Sequence, residues 1–203
     1  MPCSDSCFAG ACIQSGMSFA LLGPFVLTAA AAALTVATGA PAPNVEAYTD
    51  WLAIGAALLS TTIVGLFEEV GWRGCALPGL QRRQDALWAA LVLGVIWALW
   101  HLPELISDPG QRPPLQFFVW ILAESVILAW LYNSTNSSLP IVIICHGAVN
   151  TASTRTSALI VDDHTPLAQV PPLHSGTFAL TAVIAALLRR SRKPSPSTST
   201  WAC

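Results

Sequence analysis

The stretch WLAIGAALLSTTIVGLFEEVGWRG, residues 51–74, decides the fold. Residues 51–66 carry no charged side chain, and Glu68, Glu69 and Arg73 follow within the next two helical turns. An α-helix rises about 1.5 Å per residue, so about 20 apolar residues cross the hydrocarbon core of a bilayer. The stretch therefore predicts a membrane-spanning helix that carries ionisable groups at one end.

The composition of the whole chain favours the same class of protein. Of its 203 residues, 54% are hydrophobic and only 10% are charged, and the mean hydropathy is +0.59. Soluble domains carry about 25% charged residues, so this chain is predicted to be an integral membrane protein in contact with lipid. A net charge of −2, without a basic stripe, argues against a nucleic-acid partner.

Six apolar segments predict about six transmembrane helices: 17–38, 51–77, 86–106, 115–132, 139–160 and 173–188. Backbone groups in lipid must be hydrogen-bonded within the segment, and the alternation expected of a barrel strand is absent. The predicted fold class is therefore all-α, a polytopic membrane helix bundle over 17–188. An N-terminal tail over 1–16 and a basic, disordered cytoplasmic tail over 189–203 complete the predicted organisation.

The distribution of basic residues predicts the orientation. If six spans alternate, one side of the membrane holds Arg82, Arg83, Arg189, Arg190, Arg192 and Lys193, and the other side holds Arg112 and Arg155. Basic loops stay in the cytoplasm, so both termini are expected there.

Helical spacing separates the two neighbouring glutamates. Glu69 and Arg73 are four residues apart, so they share a face and are expected to form an ion pair. Glu68 points about 100° away and is left available for another task. The alternative is that both glutamates pair with Arg73 and only support helix packing.

Three further polar residues lie in apolar segments. His101 ends IWALWH, and His146 and Asn150 in HGAVN are one turn apart on a shared face. Purely structural alternatives are that His101 anchors its helix at the membrane interface and that His146 and Asn150 form an interhelical hydrogen bond. Together with Glu68, they could instead activate a water molecule and stabilise an oxyanion, the parts needed to hydrolyse a peptide bond. His146 lies close to the start of its segment, and this depth does not match that of Glu68.

Three motifs in this order resemble those of the CPBP family, the CAAX protease and bacteriocin-processing or Abi family. EEVGWRG resembles its EExxxR motif, and HGAVN resembles HxxxN. WALWH resembles the motif of an aromatic residue four positions before a histidine, where the family usually has Phe and this chain has Trp97. The resemblance covers about 51–160, which is the expected protease core.

The resemblance implies an intramembrane endopeptidase, CAAX prenyl protease-like, acting on a peptide or membrane-protein tail in a bacterial cell membrane. It implies that Glu68 activates water with His101, that His146 and Asn150 form the oxyanion site, and that Glu69 and Arg73 support them. Family members often have eight membrane helices, more than the six predicted here.

Other readings stay open at this point. Glu68, His101 and His146 could hold zinc, but HExxH is absent, so no metal or other cofactor is expected. The chain could also be a catalytically silent member acting as a binding or bacteriocin-immunity protein. A small transporter is a third reading, although the sequence shows no inverted repeat.

Overall fold

A computed structural model describes residues 6–37, 50–107 and 114–160. The helices in these ranges are α1 (Ser6–Ala37), α2 (Trp51–Glu69), a π-helical segment (Val70–Ala76), α3 (Leu77–Gln81), α4 (Ala86–Trp100), α5 (Leu102–Ser107), α6 (Pro114–Ser134) and α7 (Leu139–Ile160). The described ranges contain no strand. The all-α prediction is confirmed.

Four apolar stretches are long enough to cross a membrane: Gly10–Ala33, Trp51–Gln81, Ala86–Ser107 and Pro114–Ser134. The helix α7 contains a further apolar stretch, Leu139–Ser153. These stretches correspond to the first five predicted segments, so the protein is a helix bundle of the membrane. The sixth segment, 173–188, and the tail over 189–203 lie outside the described residues.

The N-terminal helix is longer than the sequence indicates. Residues 1–16 are predicted as a tail, but α1 already begins at Ser6. The early residues include small and polar side chains, which weaken the hydropathy signal without preventing a helix.

The decisive stretch forms one continuous helical rod over Trp51–Gln81. Asp50 caps its start, because its carboxylate accepts a hydrogen bond from the amide of Ala53 at 2.9 Å. The rod continues past Arg73 to Gln81, and Pro78 lies within it, directly after the π-helical segment. Directly after Glu69 the rod widens into the seven-residue π-helical segment. Such segments are rare and are frequent at functional sites.

The helix α7 packs against α2 at very short range. A Cβ atom added at Gly147 would lie 2.8 Å from the Cα atom of Thr62 and 2.9 Å from its amide nitrogen. The hydroxyl of Thr61 donates to the carbonyl of Gly147 at 2.9 Å and lies 2.8 Å from the hydroxyl of Thr151. Small residues and hydroxyl groups therefore hold these two helices together, as is usual in membranes.

The register between α7 and the rod explains the depth of His146. The side chain of Leu139, the first residue of α7, lies 3.6 Å from the Cβ position of Gly74. The carbonyl oxygen of Ile143 lies 3.2 Å from the position that a Cβ atom would have at Gly65. Thus α7 begins beside the middle of the π-helical segment, not level with the loop after Gln81, and its first two turns already reach the level of the glutamates.

A second contact joins α4 to α6. The hydroxyl of Ser125 donates to the backbone carbonyl of Ala90 at 2.8 Å, and both residues are buried. A Cβ atom at Gly94 would lie 3.0 Å from side-chain atoms of Leu122 and Ser125. This close packing fixes α4, which carries Trp97 at its buried face and His101 at its C-terminal end.

Candidate active site

Glu69 forms the most deeply buried polar contacts of the site. Its Oε1 atom accepts a hydrogen bond from Nη1 of Arg73 at 2.7 Å and lies 2.8 Å from Nδ1 of His146. Because a carboxylate only accepts, Nδ1 of His146 carries the hydrogen. Glu69 and Arg73 are both 0% exposed, and His146 is 2% exposed. The predicted ion pair is present, and it extends to a histidine on another helix.

Glu68 has a different environment from its neighbour. It is half-buried, and its Oε2 atom accepts a hydrogen bond from Nε1 of Trp97 at 2.8 Å. Arg73 makes its hydrogen bond to Glu69 and not to Glu68. The two adjacent carboxylates therefore have different partners. Glu69 is in a buried ion pair, and Glu68 accepts a hydrogen bond from a neutral donor.

His101 lies where α4 ends and is surrounded by aromatic rings. Its Nδ1 atom lies 3.0 Å from the backbone carbonyl of Trp97. A carbonyl only accepts, so Nδ1 carries the hydrogen, and Nε2 of the neutral ring is an acceptor. The ring centroids of Trp97, Trp100 and Phe117 lie 6.0, 4.9 and 5.5 Å from that of His101. These contacts hold the imidazole at the helix end.

Trp97 connects the two halves of the site. Its ring lies 5.4 Å from that of His146, and the guanidinium carbon of Arg73 lies 4.6 Å from its centroid. Glu68 and His101 also contact it, as described above. The structure thus brings three of the predicted catalytic residues, and Arg73 with them, to a single indole that is 1% exposed. The sequence marks Trp97 only as the aromatic position of a motif, and its hydrogen bond to Glu68 was missed.

Two other polar residues have to be placed, Asn150 on α7 and Glu124 on α6. Asn150 follows His146 by one turn of α7 and is half-buried, so the helix places both on one side as predicted. Glu124 of α6 is 1% exposed, and neither of its carboxyl oxygens has a hydrogen-bond partner among the described residues. The role of Glu124 is not indicated by any motif.

Within residues 6–37, 50–107 and 114–160, no group of three His, Cys, Asp or Glu side chains is arranged to hold a metal ion. His146 uses Nδ1 for Glu69, and His101 uses Nδ1 for a backbone carbonyl. The three side chains considered for zinc, Glu68, His101 and His146, thus surround Trp97 without forming a ligand set.

Residues 50–152 match the model of a protein family described as type II CAAX prenyl endopeptidase Rce1-like. The chain belongs to this Rce1-like family. The matched range makes up about half of the chain and contains every site residue described in this subsection. The resemblance to CAAX proteases is confirmed.

A curated relative from Methanococcus maripaludis is named CAAX prenyl protease 2. The chain is 31% identical to it over 111 residues, which are 50% of this chain and 40% of the relative. The alignment thus covers less than half of the length of that relative.

Proposed function

We propose that this Rce1-like protein is an intramembrane endopeptidase in which Glu68 activates the attacking water. The observation that carries the proposal is that the two neighbouring carboxylates have different hydrogen-bond partners. Glu69 is engaged by Arg73 and His146, whereas among the described residues Glu68 accepts one hydrogen bond, at Oε2. A carboxylate with an available oxygen, half-buried beside imidazoles, fits a general base.

The proposed reaction consumes one water for each peptide bond. Glu68 removes a proton from the water, and the oxygen forms a bond to the carbonyl carbon of the substrate. His101 accepts a hydrogen bond from the same water through Nε2, because its Nδ1 already donates to a carbonyl. The C–N bond then breaks, the proton held by Glu68 passes to the leaving amine, and a carboxylic acid and an amine leave.

His146 and Asn150 are proposed to stabilise the oxyanion. To donate from Nε2 while Nδ1 donates to Glu69, His146 must carry both hydrogens. A protonated His146 with Arg73 balances the formal charges of Glu68 and Glu69 to zero. A balanced set of buried charges costs less than an unpaired one. Glu69 and Arg73 therefore act as supports of the oxyanion site.

We propose that the substrate is a membrane-associated peptide or protein C-terminal tail. The name of the relative points to a prenylated tail for that protein, and the apolar surroundings of the site suit a substrate that reaches it from lipid. The reaction as proposed uses no metal. We further propose a bacterial cell membrane and, from the bias of basic residues, cytoplasmic termini.

The proposal is tested with purified protein in liposomes and fluorogenic peptides that carry either a prenylated or an unmodified cysteine near the C-terminus. Mass spectrometry of the products should show one internal peptide bond cleaved and one water added. Glu68→Gln should remove the cleavage, while Glu104→Gln, which changes an exposed glutamate, should not. A wild-type protein that binds these peptides without cleaving them would favour a silent binding or immunity protein. Cleavage that is the same in Glu68→Gln would contradict the assigned base.

A further inference from the structure

We infer that Trp97 is a positioning residue, which sets the orientation of Glu68 and of His101 relative to each other. The inference rests on the proposed function of this site. Trp97 itself touches neither the water nor the substrate in the proposed reaction. It acts through two groups that do.

The side chain of Trp97 holds Glu68. The indole N–H is only a donor, and a buried indole needs an acceptor. Here the acceptor is Oε2 of Glu68 at 2.8 Å, on a different helix. This bond occupies one oxygen of the carboxylate and restricts rotation of the other, so Oε1 is presented to a reacting water in one orientation.

The main chain of Trp97 holds His101. Its carbonyl lies 3.0 Å from Nδ1 of His101 and also accepts from the amide of His101 at 3.3 Å. The first contact selects the tautomer whose Nε2 accepts a hydrogen bond. One residue therefore orients both groups proposed to contact the water.

The packing of the indole makes it suited to this task. Arg73 lies 4.6 Å from the ring centroid, in the range of a cation–π contact. The ring of His146 lies edge-on at 5.4 Å. A cation over the ring draws electron density from the indole and strengthens its N–H as a donor. The ring is thus fixed by the same groups that support the oxyanion site.

The family motif that WALWH resembles usually has phenylalanine at this position. A phenylalanine would keep a ring between Arg73 and the imidazoles but would lose the indole N–H donor. Trp97→Phe therefore removes the hydrogen bond to Glu68 and leaves the carbonyl of Trp97 in place. Because the lost hydrogen bond is to a charged carboxylate, and such bonds are stronger than those between neutral groups, we expect kcat to fall about 10- to 100-fold. KM should stay within about twofold, because uniform substrate binding is unaffected.

A second variant separates the hydrogen bond from the shape of the ring. Incorporation of 3-benzothienylalanine at position 97 keeps both fused rings and replaces the N–H by sulfur. It should lower kcat as much as Trp97→Phe does. Trp88→Phe is the matched control, because Trp88 is 62% exposed on the same helix, and it should leave kcat unchanged.

An independent readout does not need substrate. In protein labelled with ¹⁵N-tryptophan, the indole resonance of Trp97, assigned by its loss in Trp97→Phe, should move upfield in Glu68→Ala and not in Glu104→Ala. No movement in Glu68→Ala would overturn the inference, even if the protein cleaves no peptide. A benzothienylalanine protein with wild-type kcat would overturn it while leaving the endopeptidase function standing, because packing alone would then explain any loss in Trp97→Phe.

Discussion

Gly147→Ala tests the close approach of α2 and α7 on which the site depends. The added methyl group would meet the hydroxyl of Thr62 and would lie 2.8 Å from its Cα atom. Carbon atoms pack at about 3.5–4.0 Å, so the two helices must separate by about 0.7 Å or more. The backbone of Thr62 cannot turn away as a flexible side chain would.

Moving the two helices apart should lower both the stability of the protein and its cleavage rate. The bond from Thr61 to the carbonyl of Gly147, now 2.9 Å, would lengthen to about 3.5 Å, beyond a good hydrogen bond. Overpacking of this kind costs about 1–3 kcal/mol. His146 lies on the same helix as Gly147 and would move from Glu69. A misplacement of about 1 Å lowers catalytic rates about 100-fold.

The assay compares Gly147→Ala with Gly55→Ala by thermal unfolding in detergent and by cleavage of the same fluorogenic peptide. Gly55 lies in α2, is exposed, and has no atom within 4 Å of its Cβ position. Both variants gain the helix propensity of alanine, so the control subtracts that effect. Equal melting temperatures and equal rates for the two variants would refute the close approach.

Three other perturbations follow from the structure. Glu69→Gln removes the one carboxylate that, among the described residues, is hydrogen-bonded to the buried guanidinium of Arg73. The variant should lower the free energy of unfolding by about 3 kcal/mol and abolish cleavage. Wild-type stability would show that the ion pair is dispensable. Thr61→Val removes two hydroxyl contacts with α7. It should lower the free energy of unfolding by about 1 kcal/mol and keep the cleavage rate within about threefold of the wild-type rate. A loss of cleavage as large as that of Glu69→Gln would place this hydroxyl in the reaction instead. A chelator added to the cleavage assay should leave the rate unchanged, and a rate restored only by added zinc would contradict the metal-free reaction.

The fold was predictable from the sequence because the physics of lipid leaves few alternatives. Each long apolar segment must satisfy its own backbone in a helix. The predicted second segment, 51–77, stops short of the end of the helix at Gln81, because Pro78 and Gly79 interrupt the apolar pattern. The π-helical segment after Glu69 was not predictable, because a widening of a few residues depends on packing more than on local sequence.

Within the site, contacts along one helix were more predictable than contacts between helices. The spacing of four residues between Glu69 and Arg73 predicts their ion pair, and it is present. The contact of Glu69 with His146 requires the register of α7 against α2. That register depends on Gly65 and Gly147, whose role as close-contact positions cannot be read without the partner helix.

Trp97 illustrates a different limit. Its position one turn before His101 was visible, but an indole in an apolar helix is most simply interpreted as packing. Only the position of Glu68 on the neighbouring helix shows that the N–H is used. The chemical roles of Glu68, His101, His146 and Asn150 remain predictions that activity measurements must test.

The most direct test of the central claim is the single-turnover rate of Glu68→Gln on a peptide that the wild-type protein cleaves. Glutamine keeps the shape and still accepts a hydrogen bond from Trp97, but it cannot remove a proton from water. General base catalysis contributes about 10²- to 10⁴-fold, so we expect a rate at least 100-fold below that of the wild-type protein, with an unchanged melting temperature. A rate within tenfold of the wild-type rate, in folded protein free of contaminating protease, would contradict the account.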